Sequence, residues 1–213
     1  MAPKILCLHG SGTNAAIFHI QSIRLGRLLQ SRFELVFVDG FYECPPGPEV
    51  LPFFEGMEPY MKWIHDIDGK DSRPWDDLDR LVEIYNTKGP FVGILGFSQG
   101  AKASTHLLHW LEQRGNQLDF AVLFGGTVPD RLKIGVSEWD ELVRPTIITR
   151  SIHIHGEDDP WRNESIALLD HYDKPSRVLF TFPGGHHFPI DPDFNQKIAN
   201  LIISYHDEAK DFA

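Results

Sequence analysis

The chain has 213 residues, 42% hydrophobic and 23% charged, with 20 Lys and Arg against 30 Asp and Glu for a formal charge of -10. A chain of this length buries about 70% of the surface it exposes when unfolded, so a large core forms without metal or disulfide staples. The acidic balance repels phosphate and argues against a nucleic-acid or anionic-membrane binder, and no apolar run approaches the ~18 residues of a membrane span.

In chain order, the first apolar run, residues 5–8, reads as a strand that breaks at His9-Gly10. It is too short for a signal-peptide core. With Cys7 and Cys44 the only cysteines, a reduced, cytoplasmic protein is expected. Residues 18–30 carry Ile23, Arg27 and Leu28 at helical spacing, and 34–38 reads as a second strand. Next comes a long connection, 41–71, with Pro45, Pro46, Pro48, Pro52 and Pro59. A connection of that length is uncommon unless it is functional. Residues 74–86 place Leu78, Leu81, Val82 and Tyr85 on one helical face; 91–95 is a strand, 99–114 a helix ending at Gly115, and 120–124 a strand. A second insertion, 127–149, holds Pro129, Gly135 and Trp139. Strands at 151–155 and 178–182 and a helix at 194–205 complete the pattern. The strand runs lack in-out alternation, as strands covered on both faces do. The expectation is one α/β domain spanning 1–213, a mostly parallel, doubly wound sheet of about six strands with helices on both faces and a Pro- and aromatic-rich, lid-like loop.

The sharpest chemical signal is Gly96-Phe97-Ser98-Gln99-Gly100, between a strand and a helix. A serine on that tight turn presents its hydroxyl at the sheet edge, beside a helix N-terminus that favours developing negative charge. The competing reading is a glycine-rich turn with a capping serine. A serine needs a base, and the base needs an orienting acid. Two later loops at the same edge supply them: His155-Gly156-Glu157-Asp158-Asp159-Pro160, and Gly184-Gly185-His186-His187-Phe188-Pro189. Spacing alone leaves Asp159, Asp158 and Glu157 open as the acid, and His186 or His187 as the base. The oxyanion donors expected in this arrangement are the backbone N–H groups of Gln99 and of Ser11, in the loop after the first strand. His153 and His155 could form an H-x-H metal pair, but no cysteine ligands accompany them and His155 belongs to the turn before the acid, so no metal is expected; nor does the chemistry call for a cofactor.

Together, His9-Gly10, the Ser98 elbow, the turn at 156–159, Gly185-His186-His187-Phe188-Pro189 and the stretch Asp39-Gly40-Phe41-Tyr42-Glu43-Cys44-Pro45-Pro46-Gly47 resemble the fungal serine hydrolase (FSH) family of α/β-hydrolases. So does Glu58-Pro59-Tyr60-Met61-Lys62-Trp63. The resemblance implies the α/β-hydrolase fold, Ser98, Asp159 and His186 as the triad, and Ser11 and Gln99 as oxyanion donors. It also implies an esterase or thioesterase similar to stand-alone enzymes of fungal polyketide pathways, with an acyl carrier protein as partner. Acyl transfer to an alcohol or lactone closure would use the same residues. A non-catalytic binding protein on the same fold is a third class. For substrate contacts the clue is Phe41, Tyr42, Phe53, Phe54, Tyr60 and Trp63, with Phe188. These rings suit an apolar acyl pocket, and equally suit packing the long loop onto the sheet. Arg131, Lys133, Arg144 and Arg150 would offer an acidic carrier a basic patch.

Overall fold

The computed structural model describes residues 2–67, 70–71, 74–129 and 146–211. Gly135 and Trp139 of the second insertion, and Arg131, Lys133 and Arg144, lie outside the described residues; Arg150 pairs with Glu208 at 2.5 Å.

Each apolar run forms a strand: β1 (Lys4–Leu8), β2 (Glu34–Val38), β7 (Phe91–Phe97), β8 (Phe120–Phe124), β9 (Ser151–Gly156) and β10 (Arg177–Phe182). They pair in parallel in the order β10-β9-β8-β7-β1-β2, so every strand ends at the same edge of the sheet. Successive residues face opposite layers. Leu6, Leu8, Ile94, Ala121 and Leu123 pack under α3 (Pro74–Lys88), α4 (Gln99–Glu112) and α5 (Arg162–Leu168). Ile5, Cys7, Leu95, Val122 and Phe124 pack under α1 (Ala15–Gln21), α2 (Ile23–Leu29) and α6 (Pro192–Lys210). Two covered faces explain why the strands read as unbroken apolar runs. Burial also pushes the Cys7 thiol up, away from reactive thiolate.

Three elements differ from the sequence-based expectation. The helix expected at 18–30 is two helices: Asn14 caps the first through Oδ1, which accepts from Ile17 N (2.9 Å), and the chain breaks at Ser22. There the Ser22 hydroxyl donates back to Phe18 O at 2.7 Å, competing with the helical ladder. The last helix starts earlier than expected, at Pro192, because Asp191 accepts from Phe194 N and proline suits a first helical position. Helix α5 is not among the helices read from the sequence, although Asp159-Pro160 just before it also reads as a helix N-cap with proline at the first helical position. It buries only Ser165 and Leu168, too narrow a stripe to register as a period.

The described part of the long connection carries regular backbone pairing. It contains two antiparallel pairs, β3 (Tyr42–Glu43) with β4 (Met61–Lys62) and β5 (Asp66–Ile67) with β6 (Lys70–Asp71). Val50 and Tyr60 bury against Ile17 of α1. Among the described residues, no helix is long and apolar enough to cross a membrane.

Two core histidines make the fold acid-sensitive. Burial lowers His9 from 6.5 to about 4. Burial, reinforced by the positive charge of Arg177, lowers His153 from 6.5 to about 3. Between pH 6.5 and about 4 the unfolded chain therefore binds more protons than the folded one, and stability falls as pH falls through that window. The thermal midpoint is expected to drop steadily from pH 7 to 4, with a total loss on the order of a few kcal/mol. A midpoint unchanged across that range would contradict this assignment, and His153→Gln should flatten the slope.

Candidate active site

Ser98 is the hinge between β7 and α4, and its backbone sits at φ 53°, ψ -118°. Such a conformation costs a non-glycine residue on the order of 1–3 kcal/mol and is held only by its surroundings. Here Ser98 N–H donates to Phe124 O on the neighbouring strand at 2.8 Å. Gly100 lets the helix start press onto the end of β1, since a Cβ there would lie 2.0 Å from Leu8 O. The Ser98 hydroxyl makes no capping bond to the helix, which removes the structural reading of this serine. Gln99 N–H is the first of α4 and has no intrahelical acceptor. Ser11 N–H is likewise without a protein acceptor among the described residues.

The turns after β9 and β10 are tied together: Glu157 N–H donates to Phe182 O (2.9 Å) and Asp158 N–H to Gly184 O (2.9 Å). That contact brings Asp159 against His186. Asp159 Oδ2 lies 2.8 Å from His186 Nδ1, while its Oδ1 accepts from Trp161 N–H at 2.8 Å. The Asp159 side chain is 1% exposed. Asp158 and Glu157, one and two residues earlier, are exposed. The His186 ring is held between Phe97 (centroids 4.9 Å) and the edge of Trp161 (4.6 Å). Its Nε2 is buried with no partner among the described residues. His187 also lines the cavity but has other partners, its Nδ1 bonded to Phe188 O at 2.8 Å and its ring against Phe182. Gly125, at φ 54°, follows the residue that holds Ser98, and a Cβ there would lie 2.6 Å from His186 Cε1. Two consecutive residues at the end of β8, Phe124 and Gly125, thus touch the serine turn and the imidazole in turn.

Ser98 and His186 open into a cavity of about 1020 Å³, which Ser11, Asp158 and Trp161 also line. Of the aromatics singled out in the sequence, Phe53, Phe54 and Phe188 line this cavity; Phe41, Tyr42, Tyr60 and Trp63 do not. Those four secure the long connection instead. Trp63 Nε1 donates to His9 O (2.8 Å), Trp63 N–H donates to Gln99 Oε1 (2.7 Å), and the Tyr42 hydroxyl donates to Asp77 (2.7 Å). The Arg80 guanidinium covers the Phe41 ring at 4.2 Å. Tyr60 is buried and donates to Phe54 O at 2.9 Å. Sequence reasoning missed Trp161 and the apolar wall formed by Pro45, Pro46, Val50 and Ile190. Trp161 carried one signal: it follows the acid turn at the edge where the strands end. His153 and His155, considered as a metal pair, lie buried beside Tyr172 and Arg162, His153 bonding to Ser151 at 3.0 Å.

Solved structures of similar fold cover nearly the whole chain. Arabidopsis thaliana SOBER1 superposes with a TM-score of 0.66 at 18% identity, covering 96% of this chain and 99% of that one. The type II thioesterase BorB from the borrelidin biosynthetic cluster gives 0.62 at 20% identity, covering 97% and 92%. These identities speak to the fold alone, that of the α/β-hydrolases. Sequence relatives are closer. Esterase FUS5 of Gibberella fujikuroi is 37% identical over 210 residues, covering 94% of this chain and 85% of the relative. Thioesterase FSL2 of Gibberella zeae is 33% identical over 234 residues, covering 98% and 94%. Residues 1–198 match the family described as serine hydrolase (FSH1), and the chain belongs to that family of enzymes.

Proposed function

We propose that the chain hydrolyses esters or thioesters of hydrophobic acyl groups through an acyl-enzyme on Ser98. His186 Nε2 takes the Ser98 proton as Oγ attacks the carbonyl carbon, and Asp159 holds the ring with its other nitrogen protonated. The oxyanion rests on the N–H groups of Ser11 and Gln99. The carbonyl re-forms and expels the alcohol or thiol, which takes the proton from His186. Water, deprotonated by the same imidazole, then frees the acid and restores Ser98. The single observation that carries this reading is the Asp159–His186 pair at 2.8 Å opening, with Ser98, onto one largely apolar cavity. Identity of 33% to a protein named a thioesterase supports the thioester arm, and release of an acyl chain from a carrier protein is the natural setting for it. A reducing, cytoplasmic location fits the free Cys7 and Cys44.

A series of p-nitrophenyl esters and matched acyl thioesters from C2 to C12 tests the reading. Each methylene buried against Phe53, Phe54 and Phe188 is worth up to about 0.8 kcal/mol, so kcat/KM should climb by up to about fourfold per carbon until the cavity is full. Highest efficiency on acetyl substrates would reject an acyl pocket. Labelling by a fluorophosphonate at Ser98 separates a hydrolase from a binding protein on the same fold.

A further inference from the structure

The peptide unit joining Gly10 to Ser11 is gripped at its oxygen by residues that no part of the reaction described above uses. Gly10 O accepts from the Thr13 hydroxyl at 2.7 Å and from Thr13 N–H at 3.3 Å, and it lies 2.7 Å from His9 Nδ1. The proton on His9 is placed by its other nitrogen. Gly40 N–H donates to Nε2 at 2.8 Å, so the neutral ring carries its hydrogen on Nδ1 and donates it to Gly10 O. Both side chains are buried, His9 0% and Thr13 3% exposed. In a planar trans peptide the C=O and N–H point in opposite directions, so donors fixed on the oxygen also fix the direction of Ser11 N–H. Donors on the oxygen further polarise the amide and strengthen what its N–H can offer an anion.

We propose that Thr13 is a positioning residue for the oxyanion: its hydroxyl, together with His9, clamps the Gly10 carbonyl and so aims and polarises the Ser11 N–H. This rests on the reading of Ser11 as an oxyanion donor. The clamp is distinct from what holds the loop in place. The main chain here is tied to β4 by Met61 N–H donating to Thr13 O (2.6 Å) and Gly12 N–H donating to Met61 O (3.0 Å). Those bonds survive loss of the hydroxyl, and valine keeps the shape of threonine.

The test compares wild type, Thr13→Val, Thr13→Ser and Ser98→Ala with a p-nitrophenyl ester, and measures Ki for a trifluoromethyl ketone that forms a reversible tetrahedral adduct on serine. Loss of an entire oxyanion donor costs on the order of 100- to 1000-fold, so misaiming one should lower kcat by about tenfold. Thr13→Val is expected to show that loss with KM unchanged and Ki raised by about the same factor; Thr13→Ser, which keeps the hydroxyl, should stay within about twofold of wild type. The proposal is overturned if Thr13→Val retains wild-type kcat, if its loss falls in KM with Ki unchanged, or if Thr13→Ser is as impaired as Thr13→Val. Thr13→Ala, which also removes the hydroxyl, is measured beside them with the same expectations and the same overturning results as Thr13→Val, so a valine variant that fails to fold does not leave the question open. Turnover retained by Ser98→Ala would instead remove the underlying reading, whatever the Thr13 variants do.

Discussion

Ser98→Ala is expected to lower kcat by about 10⁵- to 10⁶-fold while leaving the fold intact. Two features separate chemistry from stability at this position. The hydroxyl caps nothing in α4, so its removal breaks no hydrogen bond to the helix. The strained φ of 53° is held by the backbone bond from Ser98 N–H to Phe124 O, which alanine keeps. The thermal midpoint of the variant should therefore lie within a few degrees of wild type, and fluorophosphonate labelling should vanish. Initial rates on a p-nitrophenyl ester with enough enzyme to see the residual rate would measure the loss. Turnover within tenfold of wild type would mean that another nucleophile works in the cavity. The size of the expected effect follows from what remains: an imidazole with nothing to deprotonate but water, and two N–H donors facing a carbonyl that no oxygen attacks.

The parts of this fold that were legible in the sequence are those where local pattern and burial agree. Ile5–Leu8 and Phe120–Phe124 read as strands because both faces of the sheet are covered, so every residue in them is apolar. The Ser98 turn was legible because glycine is needed where α4 touches β1 and because a strand precedes it. What could not be read depends on contacts between distant residues. Tyr60 and Trp63 look like pocket residues by composition. Their fate is set by partners far along the chain: Trp63 meets His9 and Gln99, and Tyr60 packs on Ile17. Asp158 and Asp159 are equivalent in composition and separable only by the side toward which the turn after β9 carries each one, which the bond from Asp158 N–H to Gly184 O fixes. The clamp on Gly10 O leaves no trace in the pattern, since it joins a side chain to a backbone oxygen three residues away.

The adjacent carboxylates offer the second large effect, and a comparison that mere proximity cannot imitate. Asp159→Asn is expected to lower kcat by about 10³- to 10⁴-fold, and Asp158→Asn by no more than about threefold. In wild type, Asp159 Oδ1 is committed to Trp161 N–H and Oδ2 to His186 Nδ1. An asparagine in that place keeps its oxygen on Trp161 N–H, because the alternative would set two donors against each other. Its NH₂ then faces Nδ1 and can only donate, which forces the imidazole proton onto Nε2. A ring protonated there cannot accept the proton of Ser98, so geometry is preserved while the base is lost. Asp158 has no such commitment: its side chain is exposed, and its structural bond runs through the backbone N–H, which substitution leaves alone. Steady-state rates of the two variants at neutral pH, with circular dichroism to confirm folding, decide the matter. Asp158→Asn as the crippled protein would place the orienting acid one residue earlier and contradict the 2.8 Å pairing on which the assignment of His186 as base depends.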